Sequence, residues 1–422
     1  MAARILVIED QEDIRNLLDA LLVGEGHHVE HSPDGRSGVA KAQAICPDLI
    51  LLDLMMPQMH GYEVIQHLRA APKTQRVPII VMSVKSYPSD QRKALDMGGT
   101  LFLQKPFDPK VLLATVRVAL RSTLVTFWGT RGSIPAPGPE TVRYGGNTPC
   151  VSIEHGGSMV IFDAGTGIRK LGVAIQTSAQ GRDQDIHLFL SHTHWDHIQG
   201  LPFFTPAYVP GNRLHIFGPR SPAKPLHDVV AGQMESEYFP VAFSDLGARV
   251  EFEEYRGQSK AVGPFLVSAV YVNHPGVTLA YRIDAPGLSV AYATDVEPYR
   301  RRLPGGAPDM EAEALLGREL DSGMVDLVRG ADVLIADAQY SPEEYATKMG
   351  WGHTCYLDTV ELAIAAKVKR LVLFSHDPAH DDATVDAKLA ACRALMLERG
   401  ADIEVLAAAE GAPMLVAANA SL

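Results

Sequence analysis

The sequence predicts an α/β protein with two domains: a parallel sheet flanked by helices, then two sheets enclosed by outer helices. The chain has 422 residues, which is too many for one ordinary hydrophobic core. Strand-like and helix-like patterns alternate over residues 1–121. Over residues 124–422 most strand-like runs are short and helical patterns are widely spaced. We therefore expect one domain over 1–121 and a second over 124–422.

The first domain begins with the apolar run RILVIED, which predicts a buried strand. The amphipathic stretch IRNLLDALLVGEG predicts a helix that ends at glycine. Further buried strands are predicted in PDLILLDLMMP, VPIIVMSV and TLFLQKPF. Strands separated by helical patterns indicate a parallel sheet with helices on both faces.

Five polar side chains stand where these strands end: Glu9, Asp10, Asp53, Ser83 and Lys105. The carboxyl ends of parallel strands meet at one edge of a sheet, so these side chains should lie together. Three carboxylates in one place need a cation, and oxygen ligands with open positions suit Mg²⁺. A nearby lysine would neutralise the charge that a phosphoryl group brings.

In these motifs residues 1–121 resemble the receiver domain of two-component response regulators. The resemblance implies a flavodoxin-like (βα)5 fold and phosphorylation of Asp53 by a cognate sensor histidine kinase. It also implies that Mg²⁺ binds to Glu9, Asp10 and Asp53. The residues expected to respond to the phosphoryl group are Ser83, Phe102 and Lys105.

The junction between the domains is short. The predicted helix DPKVLLATVRVALRST runs into the strand-like LVTFWGT with almost no linker. Because there is no Gly/Ser/Pro-rich tether, signal transfer by docking or by homodimerisation is favoured over transfer by a loosely swinging domain.

The second domain is predicted to be rich in strands. Apolar runs recur in LVTFWGT, CVSIEHG, SMVIFDAGTG, IHLFLSHTH, RLHIFGP, FLVSAVYVNH, LAYRI, LSVAYATD, DVLIADA and RLVLFSH. Helical patterns return in YLDTVELAIAAKVK and DAKLAACRALMLERG. This mixture indicates two central sheets with helices outside.

The run HTHWDH, directly after a predicted strand, predicts a metal site. His192 and His194 are two residues apart at the strand end and therefore point the same way. Asp196 and His197 follow in the turn, where they can reach a second ion. Imidazole and carboxylate ligands together suit Zn²⁺, Mn²⁺ or Fe. Further candidate ligands end later strands: His274, Asp295 and His376.

This ligand order resembles that of the metallo-β-lactamase-fold hydrolases over residues 124–422. The resemblance implies an αββα sandwich that binds two divalent transition metals, with Asp295 as the bridging ligand. The first metal would be held by His192, His194 and His274, and the second by Asp196, His197 and His376. Asp163 would support the metal loop from behind, and Asn147 would lie in a loop at the edge of the site.

Two further residues resemble the carboxylate–histidine pair of the ribonuclease Z and phosphodiesterase branch. His353 would donate a proton to the leaving group or bind a phosphate oxygen, and Asp337 would orient its imidazole. Two ions about 3.5–4 Å apart can supply the nucleophile and stabilise developing charge at phosphorus. The expected catalytic residues are therefore His353, Asp337 and Asp196.

The substrate expectation rests on length and charge. Ribonuclease Z carries a tRNA-gripping arm between its third histidine motif and its aspartate, whereas residues 275–294 suffice only for a hairpin. The net charge of -12 disfavours long nucleic acid, and no helix-turn-helix pattern indicates DNA binding. Small phosphodiesters, above all cyclic nucleotides or cyclic dinucleotides, are favoured. Their basic contacts would come from Arg131 or from Arg300, Arg301 and Arg302.

Composition predicts a cytoplasmic protein. No apolar run approaches the roughly 18 residues that span a bilayer, and the start MAARILVIED lacks a signal-peptide layout. The four cysteines are scattered and read as reduced thiols. Two alternatives remain open: a regulator that binds a nucleotide or protein without turnover, and a metallohydrolase acting on another ester, a lactam or RNA.

Overall fold

The computed structural model describes residues 2–71, 73–75, 77–84, 88–121, 123–179, 181, 183–299, 321–411 and 413–416. The predicted basic run of Arg300, Arg301 and Arg302 lies outside these residues. In the part of the chain that is described, no helix is both long and apolar enough to cross a membrane.

The N-terminal part forms one five-stranded sheet of order β2-β1-β3-β4-β5, in which all neighbouring strands are parallel. Its strands are β1 Arg4–Ile8, β2 His28–Ser32, β3 Leu49–Asp53, β4 Ile79–Ser83 and β5 Leu101–Gln104. Its helices are α1 Glu12–Gly24, α2 Gly35–Ile45, α3 Gly61–Ala70, α4 Pro88–Asp96 and α5 Pro109–Arg121. The predicted parallel sheet is confirmed.

Helices cover both faces of this sheet because its central strands are apolar on both sides. Ile5 and Val7 of β1 pack in a cluster with α1 and α5, whereas Leu6 and Ile8 pack in a second cluster with α2 and α3. Strand β2 has the half-polar sequence HVEHS and lies at the edge, so it carries no apolar run that sequence analysis could detect.

The C-terminal part contains two seven-stranded mixed sheets. The first has the order β11-β10-β9-β8-β7-β6-β19, with β6 Thr123–Gly129, β7 Cys150–His155, β8 Ser158–Phe162, β9 Asp185–Phe189, β10 Arg213–Pro219, β11 Arg249–Tyr255 and β19 Pro413–Val416. The second has the order β12-β13-β14-β15-β16-β17-β18, with β12 Lys260–Val262, β13 Phe265–Val272, β14 Thr278–Ala285, β15 Leu288–Ala293, β16 Val333–Asp337, β17 Arg370–Phe374 and β18 Glu404–Ala407.

Helices enclose the two sheets. They are α6 Ile168–Ala179, α7 Trp195–Ile198, α8 Leu226–Gly232, α9 at 321–328, α10 Pro342–Lys348, α11 Tyr356–Ala366 and α12 Asp382–Glu398. The inner faces of the sheets share one core, in which Phe162, Phe189 and Tyr281 are in ring contact. Helices α6 and α8 pack on the outer face of the first sheet, and α9, α11 and α12 on that of the second. The predicted sandwich of two sheets between helices is confirmed.

Candidate metal centres and active site

The strand ends of the N-terminal sheet bring Glu9, Asp10 and Asp53 together, with oxygen atoms within 4.8 Å of one another. The Lys105 ammonium donates to Glu9 Oε2 at 2.6 Å and to Asp53 Oδ2 at 2.8 Å. Burial raises the pKa of Glu9 to about 7, although Lys105 opposes this shift. Because Asp10 Oδ1 is buried without a hydrogen-bond partner, this pocket fits a cation held by oxygen ligands.

Two further receiver positions lie on the neighbouring strands β4 and β5. Ser83 ends β4 and is fully buried. Phe102 lies within β5, in register with Val81 and not with Ser83, and is half-buried against the apolar cluster under α3 and α4. Glu9, Asp10, Asp53, Ser83 and Lys105 thus lie at the carboxyl ends of their strands, whereas Phe102 lies within β5.

In the C-terminal part, His192, His194 and His274 form one cluster of imidazoles whose ring nitrogens lie within 4.8 Å of one another. His192 and His194 follow β9, and His274 follows β13 on the facing sheet. Nε2 of His274 lies 3.0 Å from Nδ1 of His194. The other nitrogen of His274, Nδ1, donates to the Gly352 carbonyl at 2.8 Å, which leaves Nε2 as the atom free to bind a metal.

A second cluster joins His192, His197 and Asp295. Nε2 of His197 lies 3.3 Å from Asp295 Oδ2 and 3.2 Å from Asp196 Oδ2. Nε2 of His192 and Nε2 of His197 are both buried without a hydrogen-bond partner. Unpaired buried nitrogens are costly, and burial lowers the pKa of His192 well below its usual value, which favours the neutral, metal-binding imidazole. These residues therefore fit divalent transition metals.

Asp163 fixes the metal loop from behind. It is fully buried after β8, and its carboxylate accepts hydrogen bonds from His197 Nδ1 at 2.8 Å, from the Ser191 amide at 2.7 Å and from the Tyr292 hydroxyl at 2.7 Å. The bond to Nδ1 directs Nε2 of His197 toward Asp196 and Asp295. Ser191 and Tyr292 were missed in sequence analysis because a serine and a core tyrosine carry no metal-site signal.

His353 and Asp337 form a buried pair at the same pocket. Nδ1 of His353 lies 2.7 Å from Asp337 Oδ2, and Nε2 lies 3.8 Å from Asp295 Oδ2. The other oxygen of Asp337 accepts from the amides of Thr354 and Gln339. Burial opposes a charge on His353, but the carboxylates of Asp337 and Asp295 raise its pKa to about 9. The Nε2 edge of the His353 ring thus faces the metal cluster.

The prediction that His376 binds the second metal is wrong in this geometry. Its Nε2 contacts the Ala408 carbonyl at 3.0 Å, and its ring packs edge-on against Tyr144. Among the described residues, none of the groups that could hold a metal includes His376. Sequence analysis assumed that the histidine at the strand end points into the pocket, but Ser375 before it has φ 55° and turns the chain.

Arg131, which was predicted to contact substrate, and Asn147, which was predicted to lie in a loop at the edge of the site, both make hydrogen bonds that support loops. Arg131 is fully buried, and its guanidinium donates to the carbonyls of Gly145 at 2.7 Å and His380 at 2.5 Å, so it supports loops rather than substrate. The Asn147 amide donates to Glu410 Oε2 at 2.7 Å, and its oxygen accepts from Thr166 at 3.1 Å. Asn147 therefore fixes its own loop.

Glu297 is a buried carboxylate that sequence analysis missed. It accepts hydrogen bonds from the Tyr345 hydroxyl at 2.7 Å and from the amides of Gly350 at 2.8 Å and Gly352 at 3.1 Å. The loop held in this way also carries the carbonyl that orients His274 and leads to His353. A second acidic residue two positions after Asp295 was the available signal.

Backbone strain is concentrated around the pocket. Ser133, Asp163, Asp295 and Ser375 all have positive φ, between 51° and 65°. Such conformations are uncommon for residues other than glycine and persist where the surroundings enforce them. Their grouping at several strand ends is typical of a functional site.

Two family models match the chain. A model described as a response regulator receiver domain matches residues 5–117. A model described as a beta-lactamase superfamily domain matches residues 158–376, just over half of the chain.

Curated relatives match the N-terminal part. The response regulator PleD of Caulobacter vibrioides is 39% identical over 125 residues, which are 30% of this chain and 28% of that protein. The response regulator ArlR of Staphylococcus aureus is 37% identical over 118 residues, which are 28% of this chain and 52% of that protein. The chain thus spans between about a quarter and a half of the length of these relatives.

Solved structures match both parts. The metallo-beta-lactamase fold protein YhfI from Bacillus subtilis is 18% identical, with a TM-score of 0.49, and the match covers 70% of this chain and 100% of that chain. A diphosphatase from the PhnP family is 17% identical, with a TM-score of 0.46, and the match covers 70% of this chain and 97% of that chain. The chemotaxis protein CheY4 of Vibrio cholerae is 32% identical, with a TM-score of 0.28, over 28% of this chain and 100% of that chain.

Proposed function

Since the chain belongs to the beta-lactamase superfamily and has a response regulator receiver domain ahead of that domain, we propose that it is a cytoplasmic two-component response regulator whose output domain is a metal-dependent phosphodiesterase. The general reaction class, hydrolysis, is inferred from the beta-lactamase superfamily domain. The choice of a phosphodiester as the substrate rests on the residues beside the metal clusters.

The observation that carries this choice is the His353–Asp337 pair. Its Nδ1–carboxylate contact of 2.7 Å leaves Nε2 facing the metal cluster, and although burial opposes the charged form, Asp337 and Asp295 raise the pKa of His353 to about 9, which favours the imidazolium. Phosphodiester hydrolysis needs such a group, because the leaving alkoxide must be protonated and the phosphate is negatively charged. A cationic imidazole serves both needs.

The other residues would bind and orient. One metal would be held by His192, His194, His274 and Asp295, and another by His197, Asp196 and Asp295. When bound, divalent ions there supply Lewis acidity that polarises the phosphoryl oxygens and lowers the pKa of water. In the reaction a water oxygen forms a new bond to phosphorus and releases one proton to solvent, and the bond to the leaving oxygen breaks. His353 Nε2 gives its proton to that oxygen, and Asp337 stabilises the imidazolium beforehand.

Exposed aromatic side chains near the pocket support a nucleotide as the substrate. Of the three tryptophans in the chain, Trp195 is 78% exposed and Trp351 is 63% exposed. Trp195 lies between His194 and Asp196, and Trp351 precedes Gly352, which binds His274. Large exposed indoles beside a polar site are suited to stack on a nucleobase. We propose cyclic nucleotides or cyclic dinucleotides as substrates.

The short connection between His274 and Asp295 supports a small substrate. Strands β14 and β15 pair as an antiparallel hairpin, with Ala285 opposite Leu288, and no long arm extends from it. The net charge of -12 also opposes binding of long polyanions.

We propose that the receiver controls this activity. Asp53 would accept a phosphoryl group from a sensor histidine kinase, with Mg²⁺ held by Glu9, Asp10 and Asp53 and with Lys105 balancing the added charge. The helix α5 ends at Arg121 and β6 begins at Thr123, so the receiver is joined to its output domain by almost no linker.

The test is hydrolysis by the purified protein after loading with Mn²⁺ or Zn²⁺. Substrates should include bis(p-nitrophenyl) phosphate, cyclic mononucleotides, cyclic dinucleotides and short RNA, with a lactam and a thioester for the alternative chemistries. We expect turnover of small phosphodiesters and its loss in Asp196→Ala. Equal background rates of both proteins on every phosphodiester would refute the proposal and favour a binding protein without turnover.

A further inference from the structure

The two metal positions of the output domain are surrounded by different ligands. The first combines three imidazoles, from His192, His194 and His274, with the carboxylate of Asp295. The second cluster shares His192 and Asp295 with the first, and it adds one imidazole of its own, from His197, and the carboxylate of Asp196. The side chains that complete the second position therefore decide how similar the two positions are.

His376 does not complete it, because its ring is directed across the sheet to the wrong side. In the sheet order β15-β16-β17-β18, Asp295 follows β15 and Asp337 ends β16, whereas Ala408 follows β18. His376 follows β17, and its Nε2 contacts the Ala408 carbonyl at 3.0 Å. The imidazole thus leans toward β18, away from the strands that carry Asp295 and Asp337.

Ser375 faces the pocket side instead. Its φ of 55° matches the values of 59° for Asp163 and 51° for Asp295, which follow β8 and β15 and contact the metal ligands. The Ser375 hydroxyl contacts Gln339 Oε1 at 3.2 Å. Gln339 follows β16, so the Ser375 side chain is directed toward β16, whereas the His376 ring is directed toward β18.

A chain of polar contacts links Ser375 to Asp196. The Gln339 amide donates to the Ser133 hydroxyl at 3.4 Å, and the Ser133 backbone amide donates to Asp196 Oδ2 at 2.8 Å. These contacts bring hydroxyl and amide groups next to Asp196, and among the described residues the group that contains His197 has no imidazole besides those of His197 and the shared His192.

We infer that the metal centre is asymmetric, with an imidazole-rich position that retains its ion and an oxygen-rich position, completed by Ser375 and Gln339, that binds a hard ion weakly. Imidazoles suit Zn²⁺, whereas carboxylate, hydroxyl and amide oxygens suit Mn²⁺ or Mg²⁺. Neutral oxygens bind a divalent ion less strongly than an imidazole does. The inference rests on the metal site of the proposed function but not on hydrolysis of any substrate.

The test measures metal content. The whole protein is loaded with Zn²⁺, desalted, and assayed for bound zinc by mass spectrometry, and Mn²⁺ is then titrated by calorimetry. We expect one retained equivalent of Zn²⁺. The affinity for Mn²⁺ should be lower than the affinity for the retained ion by at least roughly 10–100-fold, which is the loss that even a missing outer-shell partner causes. Asp53→Ala serves as the background, so that the receiver carboxylates do not contribute a Mn²⁺ site.

Two variants make the test specific. His376→Asn should leave the metal content unchanged, since the ring does not face the site. Ser375→His combined with Gln339→Ala, which makes room for the ring, should raise the retained zinc toward two equivalents. Two equally retained ions in the starting protein, or loss of one ion in folded His376→Asn, would overturn the inference. A protein that binds metals as expected but hydrolyses nothing would refute only the proposed function.

Discussion

At the scale of single residues, the His353–Asp337 contact separates this pocket from a plain metal site. A buried imidazole alone would be neutral at pH 7, because burial disfavours the charged form. The adjacent carboxylates reverse this preference and raise the pKa of His353 to about 9. Asp337 is in turn fixed by the amides of Gln339 and Thr354, so the pair has one defined orientation.

Asp337→Asn should therefore weaken proton donation by His353. We expect kcat to fall by about 10²-fold for a phosphodiester with an alkoxide leaving group, in line with the usual contribution of a general acid. The loss should be much smaller for p-nitrophenolate, which leaves without a proton. Steady-state kinetics with both leaving groups checks this, and equal losses would show that Asp337 only maintains the fold.

Trp351→Ala tests the nucleotide proposal. Base stacking on an aromatic side chain contributes roughly 1–3 kcal/mol, so KM for a p-nitrophenyl ester of thymidine 5′-phosphate should rise about 10-fold. KM for ethyl p-nitrophenyl phosphate should not change, because that substrate has no base. Trp351→Phe is the matched control and should retain most of the affinity for the thymidine ester.

Sequence alone identified local ligands better than distant ones. HTHWDH predicted its cluster because all four side chains lie in one strand end and one turn. The prediction for His376 failed because Ser375 before it has a left-handed φ, which no side-chain pattern reports. Glu297 was missed because its role depends on a loop more than 50 residues away.

At the scale of elements, the loop between α10 and α11 depends on Glu297. Its buried carboxylate accepts three hydrogen bonds, two of them from the amides of Gly350 and Gly352. Gly352 has φ 90°, and a Cβ there would lie 2.3 Å from His274 Nδ1, so the loop and the imidazole fit closely. The position of His274 is thus linked to an element that does not itself bind metal.

Glu297→Gln should loosen this loop. Because a glutamine cannot accept all three bonds, we expect the free energy of unfolding to fall by about 1–3 kcal/mol. Zinc retention against a chelator should fall by roughly 10–100-fold, as for other lost outer-shell partners. Glu343→Gln, at an exposed position on α10, is the control and should change neither urea denaturation nor zinc retention. Unchanged zinc retention in Glu297→Gln would contradict the link to His274.

Lys388 fixes α12 to the end of β16, and its contribution to the free energy of unfolding depends on pH. Its ammonium donates to the Ala338 carbonyl at 2.7 Å, and burial lowers its pKa to about 8. The folded state therefore releases this proton at lower pH than the unfolded state, and stability should rise with pH above about 8, by at most about 1.4 kcal/mol per pH unit. Urea denaturation of wild type and Lys388→Met between pH 7 and 10 checks this. A difference between the two proteins that stays constant with pH would contradict the assignment.

Elements were predicted where an apolar pattern was sufficient. The central strands β1, β3 and β4 are buried on both faces and appear in the sequence as continuous apolar runs. The edge strand β2 does not appear as an apolar run, since only one end of it is buried. Strand order in the two large sheets depends on long-range pairing, such as β19 with β6, which local patterns do not encode.

At the scale of the whole molecule, the carboxylate-rich pockets of the receiver and of the output domain belong to domains joined by the short connection between α5 and β6. The receiver pocket balances Glu9 and Asp53 with one ammonium, that of Lys105. A phosphoryl group on Asp53 adds charge that this arrangement must accommodate. A cleft of about 1750 Å³ lies between the receiver and the output domain, lined on one side by Arg4 and Arg117 and on the other by His155 and Asp185.

Beryllofluoride, which mimics the phosphoryl group, should therefore change kcat/KM for the phosphodiester, or the oligomeric state, when it is added with Mg²⁺. Allosteric coupling usually amounts to 1–3 kcal/mol, so we expect a change of about fivefold or more in either direction. Asp53→Asn should abolish the response while leaving the basal rate intact, because Asp53 lies in the receiver and not in the metallohydrolase pocket. Parallel kinetics and analytical ultracentrifugation are the measurements. If rate and oligomeric state are the same with and without beryllofluoride, the receiver does not control this output domain.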